Sequence, residues 1–315
     1  MVYDCFPFFN EIDILKLRLN IMNPYVDRFI IEEATATFSG EPKELCFEKN
    51  KSLFADFLDK ITYVVVRDTP VKAVTHERDY FQKNRLTQGL KECGATADDI
   101  IIFGDVDEIP DVNTLQKVIK EFDRTKVYHL AQRNFYVFMN MEEESGKLMS
   151  ITGEFGEIPQ SDRKWLGTKV CSLDNIPQEG IVRLRDLVPV TDSRSVRVAN
   201  GGFHFGYMGG CHETNAAKRI GTKVIAAAHQ EYNDREILAE TMDRLVLGQD
   251  IFGRDARFER VEVDDTYPKY LREHLSEYDY LIMPRITPFV RFTHRYDLTV
   301  GRFFRKAYHH VIRRN

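Results

Sequence analysis

Hydrophobic and polar positions change rhythm several times in the first hundred residues of this chain. Residues 2–6 form a short apolar stretch of strand length. Behind Asn10, a residue type that caps helices, Ile12, Leu15, Leu19 and Met22 recur on one side of a predicted helix, and Pro24 stops it. Residues 26–31 and 61–66 read as a second and a third strand, and 77–93 as a helix closed by Gly94. Ile100-Ile101-Ile102-Phe103 is a fourth strand, apolar at every position. Strands apolar on both faces belong inside parallel sheets covered by helices. The β-α-β order therefore predicts an α/β fold: an open, mostly parallel sheet flanked by helices, with ligands at the carboxyl ends of its strands. After Asp111 the pattern loosens. Residues 127–139 read as one or two strands, 140–200 as a turn-rich mixture, and 213–229 and 234–247 as helices. No repeat, low-complexity tract or linker precedes Pro284, which predicts one catalytic domain over 1–284 and a tail over 285–315.

Composition narrows the class. With 43% apolar and 30% charged residues the chain can bury a sizeable core, and its net charge of -5 argues against a nucleic-acid binder. No apolar run reaches the ~18–20 residues that span a bilayer, and the first residues carry no signal-peptide pattern. Five scattered cysteines without a Cys-x-x-Cys pair fit a reducing cytoplasm better than a disulfide framework. The charge is unevenly spread: residues 298–315 hold five Lys/Arg and no acid, which leaves about -10 on the remainder. Within them Val300, Phe303, Phe304, Ala307, Tyr308, Val311 and Ile312 keep helical spacing. A basic amphipathic helix of this kind reads as a peripheral anchor on the inner membrane surface, or as a helix packed on the domain or on a second subunit.

The sharpest local feature is Asp105-Val106-Asp107-Glu108-Ile109-Pro110, directly after the fourth strand. Residues two apart in an extended chain point the same way, so Asp105 and Asp107 project together from the sheet's carboxyl edge. Two carboxylates suit Mn2+ or Mg2+, which take few protein ligands and fill the rest with water and substrate phosphates. Such an ion stabilises a departing diphosphate. The plainer reading is a solvated turn. Phe6, Asn10 and Glu11 follow the first strand's carboxyl end, where a base or ribose would sit.

Four segments carry a resemblance: Asp4-Cys5-Phe6-Pro7-Phe8-Phe9-Asn10-Glu11, Glu77-Arg78-Asp79-Tyr80-Phe81-Gln82-Lys83-Asn84, the acidic motif, and Gly202-Phe203-His204-Phe205. In this order, over about residues 3–284, they resemble glycosyltransferase family 17, whose known animal member adds the bisecting N-acetylglucosamine to N-glycans. The resemblance implies a GT-A type nucleotide-sugar-binding fold, a UDP-N-acetylglucosamine donor, a divalent metal, and inversion during transfer to a hydroxyl of a glycan or glycolipid acceptor. It places Arg78, Asn84 and Arg85 beside the donor, with Asp105, and makes His204 a metal ligand with Asp105 and Asp107. The glycines around His204 are expected to let a ligand approach the backbone; the plainer reading is a core histidine. Phe203 stands where family members usually show Trp, and the animal member's membrane anchor and stem are missing, so the bacterial or viral members are the nearer match.

Inversion needs a carboxylate to take the acceptor's proton. Glu213 and Glu231 are the leading candidates, with Glu154 and Glu157 next, and Trp165 is a candidate platform for an acceptor sugar or a core residue. The alternatives are a metal-dependent nucleotidyltransferase, disfavoured because no Gly-rich phosphate loop appears, and a non-catalytic carbohydrate-binding relic of the fold.

Overall fold

The computed structural model describes residues 1–148, 164–187, 189 and 191–301. Its first half follows the predicted alternation: β1 (Val2–Pro7), α1 (Ile12–Met22), β2 (Arg28–Ala34), α2 (Cys46–Asn50), β3 (Ile61–Val66), α3 (Thr75–Asn84), α4 (Leu86–Glu92) and β4 (Ile100–Phe103). Then come β5 (Glu108–Pro110), α5 (Val112–Lys120), β6 (Val127–Tyr136), β7 (Met141–Glu143), β8 (Lys169–Ser172) and β9 (Ser195–Gly206). The last described elements are α6 (Ala216–Ala226), α7 (Arg235–Val246), β10 (Phe258–Arg260), α8 (Lys269–Glu273) and α9 (Pro288–Tyr296).

Nearly all of these strands lie along one path, β10-β7-β6-β8-β4-β1-β2-β3, with β9 beside β6 and β5 beside β9. The parallel expectation holds for β3-β2-β1-β4. Beyond β4 the sheet is mixed: β8 runs antiparallel to β4 and β6, β7 to β6, β10 to β7 and β5 to β9, while β9 is parallel to β6. The sheet is apolar on both faces, as the runs in β2 and β4 require. On one side Phe29, Ile31 and Ile102 join Leu15, Leu19 and Met22 of α1; on the other Ile30, Ile101 and Phe103 join Leu86 and Leu90 of α4. Gly89 lets α4 sit close: a β-carbon there would collide with Ile30 and Val64.

Three departures from the sequence expectation have physical reasons. The predicted helix 77–93 breaks at Arg85, so α3 and α4 are separate. α1 starts at Ile12 without a side-chain cap from Asn10; the carboxylate of Glu11 takes the Phe9 and Asn10 amides instead. The turn-rich region hides β9, a twelve-residue strand. Its Gly201 and Gly202 disguise it, and both are packing requirements rather than openings for a ligand. A β-carbon on Gly201 would meet the Ala131 amide at 2.6 Å, and one on Gly202, whose φ is +128°, would strike the Ile109 carbonyl. β9 fits between β5 and β6 only with glycine at these two positions.

Candidate active site

The acidic turn leaves β4 at Gly104 and is gripped from below by Arg18 of α1. That guanidinium is fully buried, pairs with Asp4 through two hydrogen bonds (2.6 and 2.9 Å), and donates to the carbonyls of Asp105, Val106 and Glu108 at 2.9, 3.3 and 2.8 Å. Arg18 thus fixes where the two aspartates leave the sheet. Glu108 points the other way and is fully buried: it accepts from the Asp105 amide (2.9 Å), from Trp165 Nε1 (2.9 Å) and from Arg185 (3.1 and 3.2 Å).

Strand register delivers the histidine. His204 lies opposite Glu108 in the β5–β9 ladder and opposite Asn134 in the β6–β9 ladder. Its Nδ1 is 2.7 Å from Asn134 Oδ1, an acceptor, so Nδ1 carries the proton and the Nε2 lone pair is free, 3.9 Å from Asp107 Oδ1. Trp165 stacks on the imidazole at 4.3 Å between ring centroids with planes 12° apart. Burial lowers the His204 pKa to about 4, so the ring is neutral at pH 7.

Three cations surround the carboxylates. Lys83 lies 2.9 Å from Asp79 and 3.0 Å from Asp105; Arg185 lies 3.1 Å from Asp105; Lys223 reaches Glu11 at 2.5 Å and Asp107 at 3.9 Å. Burial alone would raise Asp105, but Arg185 and Lys83 outweigh it and hold this carboxyl well below the usual range. Asp107 moves the opposite way. Burial, with the neighbouring Asp105, Glu11 and Glu108, pushes it to about 7 against the pull of Lys223. The cluster thus holds five carboxylates (Glu11, Asp79, Asp105, Asp107, Glu108) against three cations, and its surplus negative charge collects at Asp107.

That surplus tests the residues against a divalent metal. Among the described residues no three ligating side chains converge. Asp107 and the neutral Nε2 of His204 do face each other, and the charge excess is of the sign a divalent cation relieves. Two protein donors suffice for an ion that keeps water and phosphate as its other ligands. Asp105, expected as a third ligand, is instead engaged with Lys83 and Arg185.

Several sequence candidates are placed elsewhere. The Phe6 ring is fully buried under the Arg18 guanidinium at 4.5 Å, so it is core and no platform for a base. Arg78 is consumed by the carbonyls of Phe38, Ser39, Pro70 and Val71, tying two loops together. Arg85 pairs with Asp68 and covers Phe81, and Asn84 holds the Glu179 carbonyl and the Val182 amide. All three are thus engaged elsewhere, and of α3 it is Lys83 that reaches the acidic turn. Glu213 pairs with Lys218 and Glu231 with exposed His229, and neither contacts the cluster. Glu154 and Glu157 lie outside the described residues, as does residues 302–315 of the tail. Asn10 and Glu11 stay nearby: Glu11 joins the cluster through Lys223, and Asn10 Oδ1 is buried without a partner.

Lys83 was not among the sequence candidates, although it stands four residues after Asp79, the spacing of a helical ion pair. Arg18, Arg185 and Lys223 gave no local signal. It also missed Glu32 at the carboxyl end of β2, whose Oε1 is buried without a partner; burial pushes its carboxyl up to about 8 against Lys43 and Lys83.

Two solved structures show a distant likeness. Glucosyl-3-phosphoglycerate synthase of Mycobacterium tuberculosis is 13% identical, covering 86% of this chain and 92% of that one at a TM-score of 0.36. The same enzyme in complex with Mn2+, UDP and glucosyl-3-phosphoglycerate is 14% identical, covering 86% and 91% at a TM-score of 0.37. Likeness so slight decides nothing about chemistry. No curated protein matches the chain. The family comparison is more specific: residues 1–151 match the model of Glycosyltransferase family 17, a stretch that holds β1 to β7 and the acidic motif and ends before β9. The open α/β sheet thus carries its acidic turn after β4 within the stretch, a little under half of the chain, that is similar to glycosyltransferase family 17.

Proposed function

We propose that this chain is a glycosyltransferase, metal-dependent and inverting, and that it moves N-acetylglucosamine from UDP-N-acetylglucosamine to a hydroxyl of a glycan or glycolipid. The observation that carries the reading is the pairing of Asp107 with the unprotonated Nε2 of His204 at the carboxyl edge of the sheet, inside a cluster with surplus negative charge. The donor sugar, the acceptor class and inversion rest on the resemblance to glycosyltransferase family 17.

In this reading Asp107 and His204 would hold Mn2+ or Mg2+, which when bound neutralises charge developing on the departing diphosphate. Asn134 keeps the His204 proton on Nδ1, so that Nε2 stays a ligand. Lys83, Arg185 and Lys223 gather at the same place and offer charge-assisted hydrogen bonds to phosphate oxygens. On binding, Asp105 trades part of its contact with Lys83 and Arg185 for the donor. Asn10 Oδ1 and the Glu32 carboxyl, both buried with an unsatisfied oxygen, are the groups best placed to read the nucleoside. Acidic side chains at Glu213 and Glu231 sit in their own ion pairs, so the acceptor's base is left to a residue that acceptor binding would reveal. The division at 284/285 is kept as a proposal, with α9 resting on α7.

UDP release from a panel of UDP-sugars tests this. UDP-N-acetylglucosamine with Mn2+ should give the fastest release, and Asp107→Ala should abolish it while keeping the wild-type unfolding transition. Wild-type turnover by Asp107→Ala would remove the metal site from the mechanism.

A further inference from the structure

Among the described residues, α9 leaves one of its faces unpartnered. Thr287 caps the helix and Pro288 fills its first turn. On the inner side Val290 and Ile286 pack against the second apolar cluster, and His294 Nδ1 meets Asp243 of α7 at 2.7 Å. On the outer side Phe289, Phe292 and Tyr296, spaced three and four residues apart, form a stripe that is 75%, 65% and 52% exposed. Singly exposed aromatics need no explanation, but three in line on one helix face do. Arg291 and Arg295 flank the stripe, exposed and in no ion pair among the described residues; Arg285, exposed just before the helix, reaches Glu262 at 3.4 Å.

Charge is segregated along the sequence. Residues 285–315 carry eight Lys/Arg and one acid, a net +7, against -12 on residues 1–284. The fourteen residues after Gly301 include Arg302, Arg305, Lys306, Arg313 and Arg314 and no acid. Two copies meeting through this face would bring two +7 segments together, which opposes self-association. An aromatic stripe edged by arginines instead matches a surface that is apolar beneath and negative on top.

We propose that α9 docks on an anionic lipid bilayer and lays Phe289, Phe292 and Tyr296 into the interface. The aromatics supply apolar burial, and each arginine at the surface adds about 1 kcal/mol at low salt. This surface is separate from the acidic turn, and vesicle binding is measured without donor, so its failure leaves the transferase reading standing.

The test is flotation of the full chain with vesicles of phosphatidylcholine and phosphatidylglycerol in equal parts, and with vesicles of phosphatidylcholine alone. The wild type should float with the first and stay behind with the second. Phe289→Asp with Phe292→Asp should abolish flotation, and Arg291→Ala with Arg295→Ala should weaken it about thirtyfold. Both double variants should keep the wild-type melting temperature and UDP release. Equal flotation of the variants, or none by the wild type, overturns the proposal. So does a wild-type dimer that Phe289→Asp with Phe292→Asp dissociates, or a lost thermal transition in that variant, since either would show the stripe to be a protein seam.

Discussion

Replacing Arg18 with methionine should both destabilise the protein and release the acidic turn. The guanidinium and its partner Asp4 are each fully buried, and methionine fills much of the volume while removing every donor. Breaking one side of a buried ion pair leaves the other charge uncompensated, at a cost of roughly 3–5 kcal/mol. Three backbone carbonyls of the turn also lose a charged donor, although losses within one network do not add fully. Against a total stability of about 5–15 kcal/mol this is a large fraction. Urea unfolding followed by circular dichroism measures the loss, and Arg18→Lys, which keeps a charge but not the fork, serves if the methionine variant folds poorly. Asp4→Leu together with Arg18→Met removes the stranded charge and should recover much of the stability without restoring UDP release. A loss below about 1 kcal/mol for Arg18→Met would refute the assigned role. Full activity in the double variant would show that the turn holds its shape without the clamp.

Asn134→Leu takes away the group that fixes the His204 tautomer, and apparent Mn2+ affinity should fall roughly 10–100-fold with nucleotide preference unchanged; His204→Ala should be at least as severe, and unchanged metal dependence in both would return the histidine to a structural role. Glu32 holds its proton more tightly when folded (about 8) than its ordinary value of 4.5, so its contribution to stability is present below the unfolded value and is lost as pH rises toward 8. Glu32→Gln should gain stability relative to wild type across that window in urea titrations at several pH values, and a pH-independent difference would contradict the burial argument. Gly202→Ala must strike the Ile109 carbonyl at a positive φ, so it should pull β9 from β5 and lower the melting temperature by several degrees, whereas a neutral effect would mean that the ladder is not tight there.

How much of this was legible in the sequence differs by region. β3 appears where its β-branched run puts it and β4 where its unbroken apolar run does, and the acidic turn follows β4 because a doubly wound sheet exposes its strand ends. α5 is only nine residues long, too short for a helical period to stand out, although Asp111 caps it through the Thr114 amide. β9 was hidden by Gly201 and Gly202, whose absent side chains break the alternating pattern but are what the close strand packing needs. The site itself was half legible. Asp107 and His204 were named, yet they meet through strand pairing between residues about a hundred positions apart, which no local spacing encodes. The cations were misassigned because partners decide them: Arg78 is taken up by loop carbonyls and Arg85 by Asp68, while Lys83 on the same helix pairs with Asp79 and Asp105. Arg185 and Lys223 come from distant segments, and only the folded chain brings them to the carboxylates.

The account turns on whether Asp107 couples a metal to the nucleotide. Calorimetric titration of UDP into the wild type and into Asp107→Asn, each with and without Mn2+, measures that coupling directly. The wild type should bind UDP much more tightly with Mn2+ than without, and Asp107→Asn should bind it weakly and equally in both conditions. UDP binding to the wild type that is indifferent to Mn2+, or an Asp107→Asn variant that keeps the full Mn2+ enhancement, would contradict the assignment of this cluster as the donor's metal site.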